Sequence, residues 1–212
     1  MTEINKRILT SIVLIAVFFA SLSNQIVLFL ALILCFYQIF YEFFNMLNKI
    51  FIKKNKFKLY LLSFISLAYI MFAIIKILEV IYNNLFDQKV LLLLIITICI
   101  FTDIGGIFFG KLFKGKKLSS ISPNKTYSGA LGSYLLSTLF ACLIFKNYLE
   151  INNIIIISFV TSTISQFGDL FISFLKRKSK IKDTGNILPG HGGLLDRFDG
   201  IIFAIPLGLI IF

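Results

Sequence analysis

Val90–Leu91–Leu92–Leu93–Leu94–Ile95–Ile96–Thr97–Ile98–Cys99–Ile100–Phe101 carries no charge and then meets Thr102–Asp103–Ile104–Gly105–Gly106. A helix that crosses the hydrocarbon of a bilayer needs about 20 mostly apolar residues, and 90–110 supplies that length around a single aspartate. The run does not alternate apolar with polar, so it reads as a helix and not as a barrel strand. In lipid only helices and closed barrels satisfy every backbone polar group.

The same pattern recurs on both sides. Ile8–Ala20 and Ile26–Phe40 are nearly charge-free, and the 212 residues are 58% hydrophobic with a mean hydropathy of +0.93. Seven apolar segments emerge, at about 8–20, 26–45, 59–81, 90–110, 128–145, 151–175 and 194–212. They predict an all-α polytopic membrane protein of about seven transmembrane helices with a polar cavity open to the cytoplasmic side. One integral membrane domain covers 1–212, with N-terminal helices over about 1–89 and a motif-bearing half over about 90–212. Lys6 and Arg7 before an apolar stretch, with Ala20, Ser21 and Ser23 after it, resemble a cleavable signal. The equally membranous remainder favours a retained first helix.

The formal charge is +11. All but Lys76, Lys89 and Lys146 of the 21 basic residues fall in the N-terminal tail or in alternate gaps between segments. That regularity places the N-terminus and the basic gaps in the cytoplasm, at a bacterial inner membrane. It also assigns the charge to anionic headgroups and phosphate ligands, and nucleic acid is not an expected partner. Cys35, Cys99 and Cys142 sit inside apolar runs at spacings that fit no metal or disulfide motif, and read as small packing residues.

Carboxylates inside a membrane are expensive and point to function. Asp103 and Asp169 each lie seven residues from the cytoplasmic end of their segment, roughly 10 Å deep at 1.5 Å per residue. Two acids at one depth can share a polar cavity. Asp169, Ser173 and Lys176 fall on one helix face. After them come Lys182–Asp183–Thr184–Gly185–Asn186, then Leu188–Pro189–Gly190–His191–Gly192–Gly193, then Leu194–Leu195–Asp196–Arg197–Phe198–Asp199. The glycines let backbone N–H groups approach an anion. Asp196 and Asp199, three apart, are expected on one face of the first turn of the last helix. Ser122–Pro123–Asn124–Lys125–Thr126 is a second polar turn on the same side. Hard carboxylate oxygens suit Mg²⁺ with substrate phosphates, and cations with N–H groups suit phosphate oxygens. The set is equipment for phosphoryl or nucleotidyl transfer between a soluble and a lipid substrate.

The run Ser173-x-Leu175-Lys176-Arg177-x₄-Lys182-Asp183-x-Gly185-x₂-Leu188-Pro189-x-His191-Gly192-Gly193-Leu194-x-Asp196-Arg197-Phe198-Asp199 resembles the signature of the phosphatidate cytidylyltransferases (CDP-diacylglycerol synthases). Thr102–Asp103 with Gly110, and Ser122–Pro123–x–Lys125–Thr126, resemble the family's upstream motifs. The resemblance covers roughly the C-terminal half. It implies Mg²⁺-dependent condensation of CTP with phosphatidate into CDP-diacylglycerol and pyrophosphate, with Asp169 and Asp196 as metal ligands and Asp199 and Asp103 as further metal or outer-sphere candidates. Lys125, Lys176, Arg177 and Arg197 would bind phosphates. Lys176, Arg197 and His191 join the two aspartates as catalytic candidates, and Ser122, Ser173, Lys182, Gly192 and Gly193 join the substrate contacts. A second cation and a homodimer are further implications. The family's glutamate after the Gly–Asp of segment six is absent from Phe171–Ile172–Ser173, and Ser128–Gly129 stands where the family has Glu–Gly. Both departures bear on a second cation site.

Two other classes fit the pattern less well. A transporter would need a polar path across the membrane, and the polar residues gather at one face. The CDP-alcohol phosphotransferases carry a different Asp/Gly pattern within one helix, which is not found here. Gly106 and Gly110 form a small-xxx-small spacing and are expected to pack helices.

Overall fold

The computed structural model describes residues 16, 19–20, 24–51, 55–83, 85–119, 122, 125–187 and 192–212. The first apolar segment falls largely outside them. Among the described residues the elements are α1 (Gln25–Phe51), α2 (Lys56–Asn83), α3 (Phe86–Phe113), α4 (Tyr127–Phe145), α5 (Ile151–Lys178), α6 (Leu195–Phe198) and α7 (Ile201–Ile211). The first five are long and apolar enough to cross a membrane. They correspond to the second through sixth segments read from sequence.

The seventh segment differs from expectation. It breaks after Phe198 into α6 and α7, and the 11 residues of α7 reach only roughly 16 Å. Gly200 sits at the break, where a Cβ would lie 3.0 Å from the Ser165 carbonyl oxygen. Pro206 inside α7 removes one more backbone donor. The break leaves Asp199 beyond the end of α6, so the single helical turn expected to carry both Asp196 and Asp199 does not form.

Two compact units divide the fold, Met1–Ile74 with Leu175–Phe198, and Ile75–Phe174 with Asp199–Phe212. In the first, α1 buries Phe36, Ile39, Glu42, Met46 and Leu47 and touches α6. In the second, α3 packs against α4 and α7. A cluster of Val90, Leu94, Ile98, Ala141, Phe145, Ile154 and Ile157 fills its interior.

Lipid tails are as apolar as leucine, so close approach and interhelical hydrogen bonds hold membrane helices together. Both are present in the second unit. A Cβ on Gly105 would lie 2.7 Å from the Gly132 carbonyl oxygen, and one on Gly129 would lie 2.7 Å from that of Gly106. The expected packing role of the Gly106 and Gly110 face is therefore realised against α4. Ser133 Oγ donates to the Thr102 carbonyl at 2.6 Å, Thr102 Oγ1 donates to Ser162 Oγ at 2.9 Å, and Tyr134 meets Thr163 at 3.0 Å. Buried hydroxyls thus extend further among these helices than the sequence reading allowed. On α4, Leu131, Leu135 and Leu139 form an exposed apolar face. Of the three free cysteines only Cys99 is fully buried.

Candidate functional site

Within the second unit, the chain between α3 and α4 is shaped to deliver Lys125. Lys114 caps α3 in the left-handed region, φ 42°, with its N–H on the Gly110 carbonyl. The chain then folds back on itself: Tyr127 N–H donates to the Lys116 carbonyl at 3.0 Å and Leu118 N–H to that of Lys125 at 2.7 Å. Lys125 N–H donates to the Ser122 carbonyl, closing the polar turn. Thr126 then caps α4, its hydroxyl accepting from Gly129 N–H at 3.0 Å. Lys125, fixed one residue before that cap, forms an ion pair with Asp169 Oδ2, both side chains about three-quarters covered. Ser173 Oγ makes a long hydrogen bond, 3.4 Å, to Asp169 Oδ1. Asp103 of α3 lies within electrostatic reach of both Asp169 and Lys125. Lys125 is thus the cation in contact with Asp169, and the Asp103 charge interacts with both.

Within the first unit the organising group is Asp196. Lys176 Nζ, at the end of α5, donates to its Oδ1 at 2.8 Å. Its Oδ2 accepts the backbone N–H groups of Thr184 at 2.8 Å and Gly193 at 3.1 Å, with the Thr184 hydroxyl at 3.0 Å. Burial pushes this carboxyl up. The Lys176 hydrogen bond, the Thr184 and Gly193 N–H groups and the Lys176 charge outweigh it and hold Asp196 below the usual carboxylate range. Gly192 precedes with φ 85°, a conformation that favours glycine, and so turns the chain to present the Gly193 N–H. At the two ends of the glycine loop, the N–H groups of Thr184 and Gly193 thus meet the protein's own Asp196.

Sequence reasoning passed over Glu42. It is the only charged side chain among the described residues in the fully buried class, 1% exposed on α1. Its Oε1 accepts from Gln38 Nε2 at 2.8 Å and Leu194 N–H at 3.0 Å. Its Oε2 accepts from the Thr184 hydroxyl at 2.7 Å and Leu195 N–H at 2.9 Å. The signal was available, since a lone glutamate inside the apolar segment 26–45 obeys the same rule that singled out Asp103 and Asp169.

The remaining candidates spread out. Arg177 and Lys182 are exposed at the end of α5 and in the loop after it, and Arg197 is exposed on α6. Asp199 Oδ1 accepts from Gly200 N–H at 2.9 Å in the turn before α7. His191, Pro123 and Asn124 lie outside the described residues. Among the described residues no three of His, Cys, Asp and Glu gather as a ready-made metal cage. The Asp103–Asp169 pair, with an ammonium already on one carboxylate, still fits Mg²⁺, which is usually held through one or two carboxylates and otherwise keeps water and phosphate oxygens.

Five long apolar helices define an integral membrane protein of the all-helical class. The sequence model described as "Cytidylyltransferase family" matches residues 39–212, and the chain belongs to that family. A phosphatidate cytidylyltransferase of Rickettsia felis is 50% identical over 108 residues, 46% of this chain and 48% of that protein. One of Staphylococcus saprophyticus is 43% identical over 111 residues, 50% and 42% of the two chains. One of Helicobacter pylori strain J99 is 35% identical over 135 residues, 62% and 50%. The chain spans about half the length of the curated relatives it matches.

Proposed function

We propose that this chain transfers the cytidylyl group of CTP to phosphatidate, giving CDP-diacylglycerol and pyrophosphate, on the cytoplasmic side of the inner membrane. The observation that carries the reading is the family match, which spans every acid and lysine described above. The names of the relatives support the substrates. The basic gaps after α1, α3 and α5 support the cytoplasmic side.

An oxygen of the phosphatidate phosphate attacks the α-phosphorus of CTP. The bond from that phosphorus to the bridging oxygen breaks, and pyrophosphate leaves with the electron pair. The nucleophile is already an anion, so no strong base is required. The barrier is repulsion between two polyanions, and catalysis is chiefly positioning and charge neutralisation. Lys125 and Lys176, each seated on a carboxylate without substrate, are the ammonium groups placed to shift onto phosphate oxygens. Asp169 with Asp103 in the second unit, and Asp196 in the first, are the carboxylates that would hold Mg²⁺. Mg²⁺, when bound, neutralises phosphate charge.

The full chain, purified in detergent, is given labelled CTP and phosphatidate with and without Mg²⁺. Labelled lipid and pyrophosphate should form only with Mg²⁺, and Asp169→Asn should lower the rate about 10²-fold or more, the scale for losing one preorganised electrostatic group. Absence of labelled lipid from the wild-type protein, or a near-normal rate in properly inserted Asp169→Asn, would overturn the reading.

A further inference from the structure

Glu42 is buried in an apolar helix, and its two oxygens are met by four hydrogen-bond donors. Hydrogen bonds to a charged acceptor are roughly twice as strong as neutral ones. The four are not drawn from one segment. Gln38 lies one turn earlier on α1, Thr184 lies at the start of the glycine loop, and Leu194 and Leu195 lie at its end. One carboxylate thus ties both ends of the loop to a membrane helix.

Glycine spacing follows the same contact. A Cβ on Gly185 would lie 2.8 Å from Glu42 Oε1, and one on Gly193 would collide with Glu42 Oε2 and the Thr184 hydroxyl. Thr184 carries the constraint onward, since its hydroxyl serves Glu42 while its backbone N–H donates to Asp196. The Gly193 N–H on Asp196 is one residue from the Leu194 N–H on Glu42.

We propose that Glu42 is a positioning residue for the transfer reaction: from within α1 it holds Thr184, Leu194 and Leu195, and through them fixes the Asp196 carboxylate and the loop that carries it. The role rests on the cytidylyl-transfer reading for its chemistry, and on hydrogen bonds alone for its geometry. A carboxylate is required because its partners approach as donors on both oxygens. A glutamine would turn an NH₂ toward at least one backbone N–H and leave that donor buried and unpaired.

The test follows backbone hydrogen exchange in the full chain in detergent, without metal or substrate, on peptides covering 183–196. Mg²⁺ activation of cytidylyl transfer is measured alongside. Glu42→Gln should quicken exchange in 183–196 about tenfold or more, leave peptides of α3 and α4 at the wild-type rate, and raise the half-activating Mg²⁺ concentration several-fold. A smaller folded fraction would not move that last quantity. Gln38→Met, which removes an amide donor from Glu42 and lies outside the loop, should shift both readouts in the same direction by a smaller amount and serves if Glu42→Gln does not insert. Wild-type exchange in 183–196 would overturn the proposal, as would faster exchange with an unchanged Mg²⁺ requirement. A wild-type protein that makes no CDP-diacylglycerol would defeat the proposed reaction, while the exchange data would still decide whether Glu42 holds the loop.

Discussion

Replacing Gly129 with alanine probes how tightly the α3–α4 crossing is set, and how far Lys125 depends on it. The new Cβ would lie 2.7 Å from the Gly106 carbonyl oxygen, 3.1 Å from Thr126 Oγ1 and 3.3 Å from Gly110 Cα, where an ordinary contact begins at 3.4 Å. Two of those three atoms are backbone and cannot rotate away, so the helices have to part by about 0.7 Å at this point. Overpacking of this kind costs about 1–3 kcal/mol. The helix-propensity gain of Gly→Ala offsets up to about 1 kcal/mol of it, leaving a net loss of up to about 2 kcal/mol. Gly110→Ala is the comparison. Its Cβ would lie 3.2 Å from the Thr126 hydroxyl, a movable atom, and 3.7 Å from Gly129 Cα, so it is expected within about 0.5 kcal/mol of wild type. The assay is reversible unfolding in mixed micelles paired with the rate of cytidylyl transfer. Because Thr126 caps α4 through the Gly129 N–H and Lys125 directly precedes it, Gly129→Ala should lose activity beyond its loss of folded protein. A Gly129→Ala protein as stable and as active as Gly110→Ala would refute the close crossing and the dependence of Lys125 on it.

Two further outcomes follow from the hydrogen bonds. Ser133→Ala removes the 2.6 Å bond to the Thr102 carbonyl and is expected to cost about 0.5–1.5 kcal/mol in the same unfolding assay, within the range for hydroxyl bonds between membrane helices. Asp196 is held below its unfolded value near 3.9, so it stabilises the fold fully above about pH 4. That stabilisation is lost as pH falls through its lower folded value. In metal-free protein, Lys176→Met takes away the hydrogen bond and charge that lower it most, so the variant should lose melting temperature relative to wild type chiefly above about pH 4, and the gap between the two should narrow as the pH falls below that.

The spans were legible because bilayer thickness imposes a length that hydropathy records directly, and α1 through α5 fall where continuous apolar runs predict them. The break at Asp199–Gly200 was not, since it depends on Gly200 seating against Ser165 of another helix, a contact no local pattern encodes. Asp103, Asp169 and Lys125 could be found because equal depth and a polar turn put them on one level. Asp196 was found for its charge, and the glycine loop was read as a cradle for a foreign phosphate; the Thr184 and Gly193 N–H groups at its two ends go to Asp196, and residues 188–191 between them lie outside the described residues. Glu42 was missed because segment 26–45 was judged by its overall apolarity, and one acid hardly changes that average.

The two clusters share a stoichiometry and differ in how it is met. Asp103, Asp169 and Lys125 carry two carboxylates for one ammonium in the second unit, and Glu42, Asp196 and Lys176 do the same in the first. Each is left one negative charge in excess; Glu42 in the first is buried, whereas in the second Asp103 is exposed and Asp169 partly so, and the excess is met by donors, by solvent or by a cation. In the first unit it is met by the protein: Thr184, Gly193, Leu194 and Leu195 supply backbone N–H groups to the two carboxylates, and Gln38 an amide. In the second unit the donor described besides Lys125 is the distant Ser173 hydroxyl. A divalent cation with substrate phosphates therefore has more to gain at Asp169 and Asp103 than at Asp196. This ordering makes Asp169 the first candidate to carry the ion, and makes Asp196, fastened through Thr184 to Glu42, first of all the anchor that keeps the glycine loop in shape.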